Sequence, residues 1–158
     1  ALRLPGAVEA CAELNVSVCL MHMLGEPRTM QQSPEYVDVV ADVKEFLRQR
    51  YNVCMEAGIR PDQVVLDPGF GFGKSLTHNL TLLKHLDKIV EMDVPVLVGL
   101  SRKSMLGAIL DKDVDQRLFG SLSAAVLAFT RGARIFRVHD VAATVEVLKI
   151  AQAVALVE

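Results

Sequence analysis

Four apolar segments of this chain end in polar residues that could do chemistry. The ends are Met21-His22-Met23, Asp67-Pro68-Gly69, Gly99-Leu100-Ser101-Arg102-Lys103 and Arg137-Val138-His139-Asp140. If the segments are strands of an α/β fold, these residues lie at the carboxyl ends, where such folds gather their functional groups. We therefore expect the four ends to converge on one small-molecule site.

The second end joins a carboxylate to the run Gly69-Phe70-Gly71-Phe72-Gly73-Lys74. The two oxygens of Asp67 suit the paired N–H groups of an amidine-like edge, such as that of a pterin or guanine, although Asp67 could instead cap the turn. Phe72 could pack the loop or wall an aromatic substrate. A phosphate-binding P-loop is disfavoured because Pro68 holds its first glycine position, and the alternating glycines do not match the dinucleotide pattern.

The third end, Ser101-Arg102-Lys103-Ser104, precedes a predicted helix. Helix N-termini favour anions through their free N–H groups, and two cations there do not stabilise the helix. The cations therefore indicate a binding role, with a solvated basic turn as the alternative. Lys103 could donate a hydrogen bond to a heterocycle and anchor it electrostatically.

The fourth end carries Arg137 and His139, which strand alternation places on one side. Charges in such an apolar strand are unfavourable unless they are paired or bound, so these two residues predict a diphosphate site. Asp140 is the predicted N-cap of the helix that follows. The first end is ambiguous, because His22 could be a core residue or a ligand contact, whereas Met23 could wall a ring.

The elements that would hold these ends alternate between helix and strand, which indicates parallel β-α units. Two architectures fit four such units: an open doubly wound sheet, or half of an eight-stranded barrel. The start at Ala1, with neither Met nor a signal-peptide pattern, favours the half-barrel. The predicted strands are 16–21, 64–66, 94–100 and 133–138, the predicted helices are 5–10, 36–57, 77–88, 102–110, 116–131 and 141–157, and a polar loop with Gly25, Pro27 and Pro34 follows the first strand.

Composition predicts a single globular domain over residues 1–158. The chain is 51% hydrophobic with a net charge of -2, which gives no case for nucleic acid or an anionic membrane as partner. No apolar run is long enough to cross a bilayer. The three cysteines lack a disulfide or metal-binding spacing and predict reduced thiols in the cytoplasm, with Cys19 packed in the core.

Taken together, the four ends resemble the dihydropteroate synthase family of the folate pathway. Their order and separations match along essentially the whole chain. The resemblance implies an α/β fold, a TIM-type (β/α)8 barrel, of which this chain supplies the last four β/α units. The matching motifs are Cys19-Leu20-Met21-His22-Met23, Leu66-Asp67-Pro68-Gly69-Phe70-Gly71-Phe72-Gly73-Lys74, Val98-Gly99-Leu100-Ser101-Arg102-Lys103-Ser104 and Arg137-Val138-His139-Asp140.

The resemblance implies a transferase that condenses (7,8-dihydropterin-6-yl)methyl diphosphate with 4-aminobenzoate, giving 7,8-dihydropteroate and diphosphate. Asp67 would bind the pterin's amino edge and stabilise the cation formed as diphosphate leaves. Lys103 would contact the pterin and border the aminobenzoate pocket, whereas Met23 and Gly99 would line the pterin slot.

The other implied roles concern the second substrate and the leaving group. Phe72, Ser101 and Arg102 would shape the 4-aminobenzoate site, which in this family is also the sulfonamide site. Arg137 and His139 would hold the departing diphosphate. Electrostatic stabilisation of that group would dominate, with no protein nucleophile. The implied catalytic residues are Asp67, Lys103, Arg137 and His139.

The family's barrel has eight strands, so we expect an absent N-terminal half to hold further pterin contacts, mobile loops and the asparagine that binds Mg²⁺. The chain alone is expected to have little or no activity, and its open sheet edges to make it marginal or aggregation-prone. A homodimer is expected for the full-length protein. Two alternatives remain: a methyltetrahydrofolate methyltransferase-like barrel, which has no diphosphate to hold, and a non-catalytic half of a split barrel.

Overall fold

The computed structural model describes residues 2–26, 30, 32 and 34–157, and within these ranges a helix is followed by four strand–helix units, as expected. Pro27, in the predicted polar loop, lies outside the described residues. The strands are β1 (Val18–Met21), β2 (Val64–Asp67), β3 (Leu97–Val98) and β4 (Ile135–Phe136). The helices are α1 (Ala7–Glu13), α2 (Val39–Glu56), α3 (Leu76–Lys84), α4 (Asp87–Val90), α5 (Ser104–Leu110), α6 (Leu118–Thr130) and α7 (Val141–Ala155).

The strands pair in parallel and follow one another in chain order. Strand β1 pairs with β2, ending at Met21 opposite Asp67, and β3 pairs with β4. A single parallel bridge between Leu66 and Val96 joins the two pairs. Because all strands run in one direction, their carboxyl ends lie at one edge of the sheet, and the four polar ends come to the same side.

Three predicted elements differ from the structure: two strands and one helix. Strands β3 and β4 contain only two residues each, because the regular ladder between them is limited to Leu97–Val98 and Ile135–Phe136. The single helix predicted over 77–88 is two helices, α3 and α4, separated at His85 and Leu86. The break allows both Leu86 and Ile89 to be fully buried. No helix among the described residues is both long and apolar enough to cross a membrane.

The core lies between one face of the sheet and the helices. Leu20, Leu66 and Val98 come from three neighbouring strands, and all three are almost fully buried. Val43 and Leu47 of α2, which are one turn apart, are fully buried against this face. This packing fixes the strand ends that carry the polar residues.

The opposite face of the sheet is open. The prediction that Cys19 packs in the core is wrong, because alternation along β1 buries Val18 and Leu20 and turns Cys19 to the other face, where it is exposed. Ile135 of β4 is also exposed, at 37%. The described residues therefore cover the helix side of the sheet more completely than its inner side.

Candidate functional site at the carboxyl ends of the strands

The glycine–phenylalanine loop, residues 69–73, follows β2 and lies directly against the segment after β1. Gly69, Gly71 and Gly73 all have positive φ, a conformation that favours glycine. A Cβ atom on Gly69 would collide with the carbonyl oxygen of His22, and one on Gly73 would lie 2.7 Å from that of Leu24. The glycines therefore allow two loops to touch through their backbones.

Asp67 is 1% exposed at the end of β2, and both of its carboxylate oxygens have partners. Oδ1 accepts the backbone N–H of Gly69 at 2.8 Å, so Asp67 does cap the turn. Oδ2 accepts a hydrogen bond from Arg137 Nη2 at 2.9 Å. A buried carboxylate requires such partners, and here one of them comes from the end of β4.

Gly99 makes room for the ion pair between Asp67 and Arg137. A Cβ atom on Gly99 would lie 2.7 Å from Arg137 Nη2, well inside van der Waals contact. The guanidinium therefore crosses the end of β3 over a residue without a side chain. The Arg137 side chain remains 54% exposed, so the same guanidinium also faces solvent.

Lys103 lies over the ring of Phe72, with its Nζ atom 4.3 Å from the ring centroid. This geometry is that of a cation–π contact. Burial lowers the pKa of Lys103, the nearby charge of Arg137 lowers it further, and Asp67 opposes both. Within the described ranges the ammonium makes no hydrogen bond, so it is available to a ligand. Lys103 and Phe72 thus form one wall beside the Asp67–Arg137 pair.

Ser101 positions His139 from the end of β3. Ser101 is buried, its Oγ atom lies 3.0 Å from His139 Nδ1, and it accepts the backbone N–H of His139 at 3.3 Å. Because the oxygen already accepts that amide, we assign the hydroxyl hydrogen to Nδ1, which leaves the imidazole proton on Nε2. The side chain of His139 is exposed, so its Nε2–H group can meet an incoming anion.

Arg102 is held by Asp140 rather than left free. Its Nη2 and Nε atoms donate to the two carboxylate oxygens of Asp140 at 2.8 and 3.2 Å. Asp140 is the N-cap residue of α7, as predicted, but its side chain makes no hydrogen bond to the helix. Arg102 also has a positive φ of 57°, and its N–H donates to Ser121 Oγ at 2.9 Å.

Met23 is the one predicted site residue taken from the end of β1. It is partly buried, and its carbonyl oxygen accepts a hydrogen bond from Arg3 Nη2 at 2.6 Å. His22, which the sequence left open between core and ligand contact, is buried. The first strand end therefore contributes less to the charged cluster than the other three.

Lys74 was missed by the sequence analysis, which considered it only as part of a rejected P-loop. It is 3% exposed, and its Nζ atom lies 2.9 Å from His22 Nδ1, 2.9 Å from the Gly69 oxygen and 3.2 Å from the Phe72 oxygen. One signal in the sequence could have identified Lys74. A lysine directly after a glycine-rich loop can donate to the loop's carbonyl groups, which have no strand partner.

Burial sets the protonation of the pair formed by Lys74 and His22. It lowers the pKa of Lys74 to about 7, with Asp67 acting in the opposite direction and Lys103 adding to the decrease. Burial, followed by the charges of Lys74 and Arg3, lowers the pKa of His22 to about 3. The imidazole is therefore neutral and can accept a hydrogen bond from Lys74.

No metal site is evident in the part of the chain that the structure describes. It contains no group of three or more histidine, cysteine, aspartate or glutamate side chains that could hold an ion. The two carboxylates at the strand ends, Asp67 and Asp140, are already paired with Arg137 and Arg102. These residues do not fit a divalent cation.

Comparison with known sequences gives one consistent match. Residues 3–139 match the family model described as pterin binding enzyme. The chain is 54% identical over 155 residues to the dihydropteroate synthase of Haemophilus influenzae, covering 98% of this chain and 56% of that protein. It is 50% identical over 149 residues to the dihydropteroate synthase of Escherichia coli K12, covering 94% of this chain and 53% of that protein. The chain thus spans about half the length of the curated relatives it matches.

Solved structures agree with the sequence matches. A dihydropteroate synthase from Yersinia pestis in complex with a sulfonamide drug superposes with a TM-score of 0.96 at 47% identity, over 99% of this chain and 57% of that chain. The enzyme from Xanthomonas albilineans, with 4-aminobenzoic acid, superposes with a TM-score of 0.92 at 49% identity, over 99% of this chain and 56% of that chain.

Proposed function

The chain belongs to the pterin binding enzyme family, and on that premise we propose that the protein is a dihydropteroate synthase, a transferase that condenses (7,8-dihydropterin-6-yl)methyl diphosphate with 4-aminobenzoate. The observation that carries the proposal is the single charged cluster that Asp67, Lys103 and Arg137 form at three consecutive strand ends. The relatives named above support the same reaction.

We propose that the 158 residues are the last four β/α units of a (β/α)8 barrel and a portion of one pterin-binding domain. The parallel strand order supports this, as does the fit to solved chains of which this one covers 57% and 56%. The open inner face of the sheet, with Cys19 and Ile135 exposed, is the face that further strands would enclose.

Asp67 is the proposed anchor for the amino edge of the pterin. Each carboxylate oxygen carries two lone pairs, so Asp67 can accept the ligand's N–H groups while Gly69 keeps its bond. Met23 and Gly99 are proposed to line the slot. The buried negative charge would also stabilise the cation that forms as the C–O bond breaks.

The basic fourth end is proposed to hold the departing diphosphate. Arg137 is half exposed and can turn toward an anion, and His139 can offer its Nε2–H group. Because the Asp140 side chain is bound to Arg102, the first amides of α7 have no side-chain cap and remain donors for a phosphate group. These three donors would stabilise charge on the leaving group.

The wall formed by Lys103 and Phe72 is proposed to border 4-aminobenzoate, with Ser101 and Arg102 shaping the rest of that site. An aromatic ring suits a benzoate ring, and the cations beside it suit a carboxylate. The sulfonamide and 4-aminobenzoic acid complexes of the solved relatives support a shared site for both ligands.

The proposed reaction uses Mg²⁺ with the diphosphate, but the strand-end carboxylates described here are paired with arginines. We propose that the protein ligand of Mg²⁺ lies in a region that corresponds to the part of the relatives outside this match.

We also propose a homodimer, because Ile150 and Val154 of α7 are each 70% exposed. A cytoplasmic location is proposed as well, and the free cysteines support it. A methyltetrahydrofolate methyltransferase-like role is disfavoured because it leaves Arg137 and His139 without an anion.

The test is release of diphosphate by the protein expressed from its complete reading frame. With pterin diphosphate and 4-aminobenzoate together, we expect steady release of diphosphate and formation of 7,8-dihydropteroate. Omission of 4-aminobenzoate should abolish the second product. Absence of dihydropteroate under both Mg²⁺-free and Mg²⁺-containing conditions would rule out the proposed function.

A further inference from the structure

Lys74 places its buried ammonium inside the glycine–phenylalanine loop. The three acceptors around Nζ are Gly69 O, Phe72 O and His22 Nδ1, all within 3.2 Å. Two of them belong to the loop itself, and the third belongs to the segment after β1. One side chain therefore holds the loop's curvature and joins it to the neighbouring strand end.

The loop has few other ways to keep its shape. Its three glycines have positive φ and offer no side chains to pack. Tyr36 donates its hydroxyl to Gly73 O at 2.6 Å, and Asn79 Oδ1 accepts the N–H of Gly71 at 2.8 Å. The carbonyl of Gly69 accepts from Lys74 and, at 3.1 Å, from the backbone N–H of Phe72. Lys74 is the one donor to the carbonyl of Phe72 among the described residues.

This position links Lys74 to two groups of the proposed site. Gly69 donates its N–H to Asp67 Oδ1 at 2.8 Å, while the carbonyl of the same residue accepts from Lys74. Phe72 presents its ring to Lys103, while its carbonyl oxygen accepts from Lys74. A shift of the ammonium would therefore move both the carboxylate's hydrogen-bond donor and the aromatic wall.

The charges around Lys74 make the contact sensitive to its protonation. Asp67 favours the ammonium, Lys103 disfavours it, and His22 faces it as a neutral imidazole that burial, Lys74 and Arg3 keep unprotonated. An ammonium has three donors for its three acceptors, whereas a neutral amine has two. Loss of one proton would leave one acceptor without its donor.

We propose that Lys74 is a positioning residue that holds the glycine–phenylalanine loop so that Asp67 meets the pterin and Phe72 meets 4-aminobenzoate. The inference rests on the proposed function, since it names the substrates of that reaction. It assigns no chemical step to Lys74, whose ammonium is buried against His22, Gly69 and Phe72.

The test compares Lys74→Met with the matched control Lys84→Met, which removes an exposed lysine from α3. Both are made in the complete protein, and steady-state constants are measured for both substrates. We expect Lys74→Met to raise the KM for 4-aminobenzoate by about tenfold or more and to lower kcat by a smaller factor, with Lys84→Met unchanged. A purely structural role would reduce the active fraction, and hence kcat, with KM unchanged. That result would overturn the proposal.

Two further measurements keep the inference testable if Lys74→Met folds poorly. The double variant Lys74→Met/His22→Leu removes the imidazole that would otherwise be left without a donor, and its KM must rise in the same way. In the unsubstituted protein, the backbone amide signals of Gly71 and Phe72 should shift with the same pH midpoint as the Lys74 Nζ signal. The same experiment in Lys103→Met removes the neighbouring titration. Amide chemical shifts that do not change at the pH midpoint of Lys74 would overturn the inference.

These outcomes separate the inference from the function on which it rests. An unsubstituted protein that makes no dihydropteroate contradicts the proposed function, whatever Lys74 does. An active protein in which neither KM nor the loop amides respond to Lys74 contradicts the inference alone.

Discussion

Arg137 Nη2 and Asp67 Oδ2 lie 2.9 Å apart, which joins residues seventy positions apart in the chain. Asp67 is almost fully buried and Arg137 is half exposed, so one member of the pair is fixed and the other is free to change partner. The pair spans the end of β3, where Gly99 leaves space for the guanidinium. The proposed substrate anchor and the proposed leaving-group site are thus adjacent in the structure.

Gly99→Ala should disturb this pair without removing a charge. The added methyl group would lie 2.7 Å from Arg137 Nη2, so the guanidinium must move away from Asp67. We expect a loss of about 1–3 kcal/mol in the free energy of unfolding and a fall of about tenfold in kcat/KM for the pterin substrate. Denaturant unfolding and steady-state kinetics measure both. Ser104→Ala, at an exposed position, is the control, and a Gly99→Ala protein with normal kinetics would contradict this account.

Arg137→Ala and Lys103→Ala should both slow diphosphate release in the complete protein. Arg137 is proposed to neutralise the leaving group and Lys103 to contact both substrates, so we expect kcat/KM to fall by about a hundredfold in each variant. Arg131→Ala, which removes an exposed cation after α6, should leave the rate unchanged. Unaltered rates in both site variants would refute the assignment of the cluster.

Asp140→Asn should weaken the contact with Arg102 while keeping a residue type that suits the N-cap position of α7. The bidentate pair, with donor–acceptor distances of 2.8 and 3.2 Å, would become a weaker contact, since a neutral amide replaces the carboxylate. We expect the KM for 4-aminobenzoate to rise about three- to tenfold, with the KM for the pterin changed less. Asp113→Asn, at an exposed position, serves as the comparison. Equal changes in both KM values would argue against a specific role at the aminobenzoate side.

The free energy of unfolding should rise with pH across two windows. The pKa of Lys74 is about 7 in the folded protein and 10.5 in the unfolded chain, so between these values the unfolded state binds more protons and stability increases with pH, by up to about 5 kcal/mol in total. The pKa of His22 is about 3 when folded against 6.5, so stability also falls as the pH drops through that range. Denaturant titrations from pH 4 to pH 10 measure the slope.

Lys74→Met provides the control for the upper window, because it removes the titrating group and keeps a long side chain. Its upper slope should be clearly smaller than that of the unsubstituted protein, with the remainder due to Lys103, whose pKa burial also lowers. The lower window of His22 should persist, because burial is the first cause of the low His22 pKa, but it should narrow without the charge of Lys74. An identical upper slope in this variant would mean that another group titrates there.

The 158-residue chain expressed alone should have little or no synthase activity. Cys19 and Ile135 are exposed on the inner face of the sheet, and β1 and β4 each pair on one side only among the described residues. Exposed strand edges favour association with other chains. Diphosphate release and size-exclusion chromatography check both points against the complete protein. Full steady-state activity of the chain alone would refute this prediction.

Much of the fold was predictable because its signals are local. Apolar strands alternated with amphipathic helices, and the parallel order of β1 to β4 followed. The brevity of β3 and β4 was not predictable, since ladder formation depends on how the partner strand lies. The break at His85 was not predictable for a similar reason. The apolar residues keep helical spacing through Leu86, and only tertiary packing shows that α3 ends before Leu86.

The site was predictable in its residues and less so in their contacts. Asp67, Lys103 and Arg137 were identified from strand-end position, but their pairing depends on distances that sequence does not encode. Asp140 is the N-cap of α7 as predicted, but its side chain binds Arg102 and not the first amides of the helix, because a charged donor from a neighbouring loop forms the stronger hydrogen bonds. Lys74 was missed because burial, which gives it its importance, arises only when the glycines bring two loops together.

Because β3 and β4 pair over only two residues, the side-chain contacts at their ends also stabilise the fold. With only two residues in that ladder, the Ser101–His139 and Arg102–Asp140 contacts also hold adjacent β/α units in place. Substitutions at this rim, which these two contacts form, would therefore also weaken the packing between adjacent β/α units. Variants at this rim would need compensating substitutions elsewhere to keep the same free energy of unfolding.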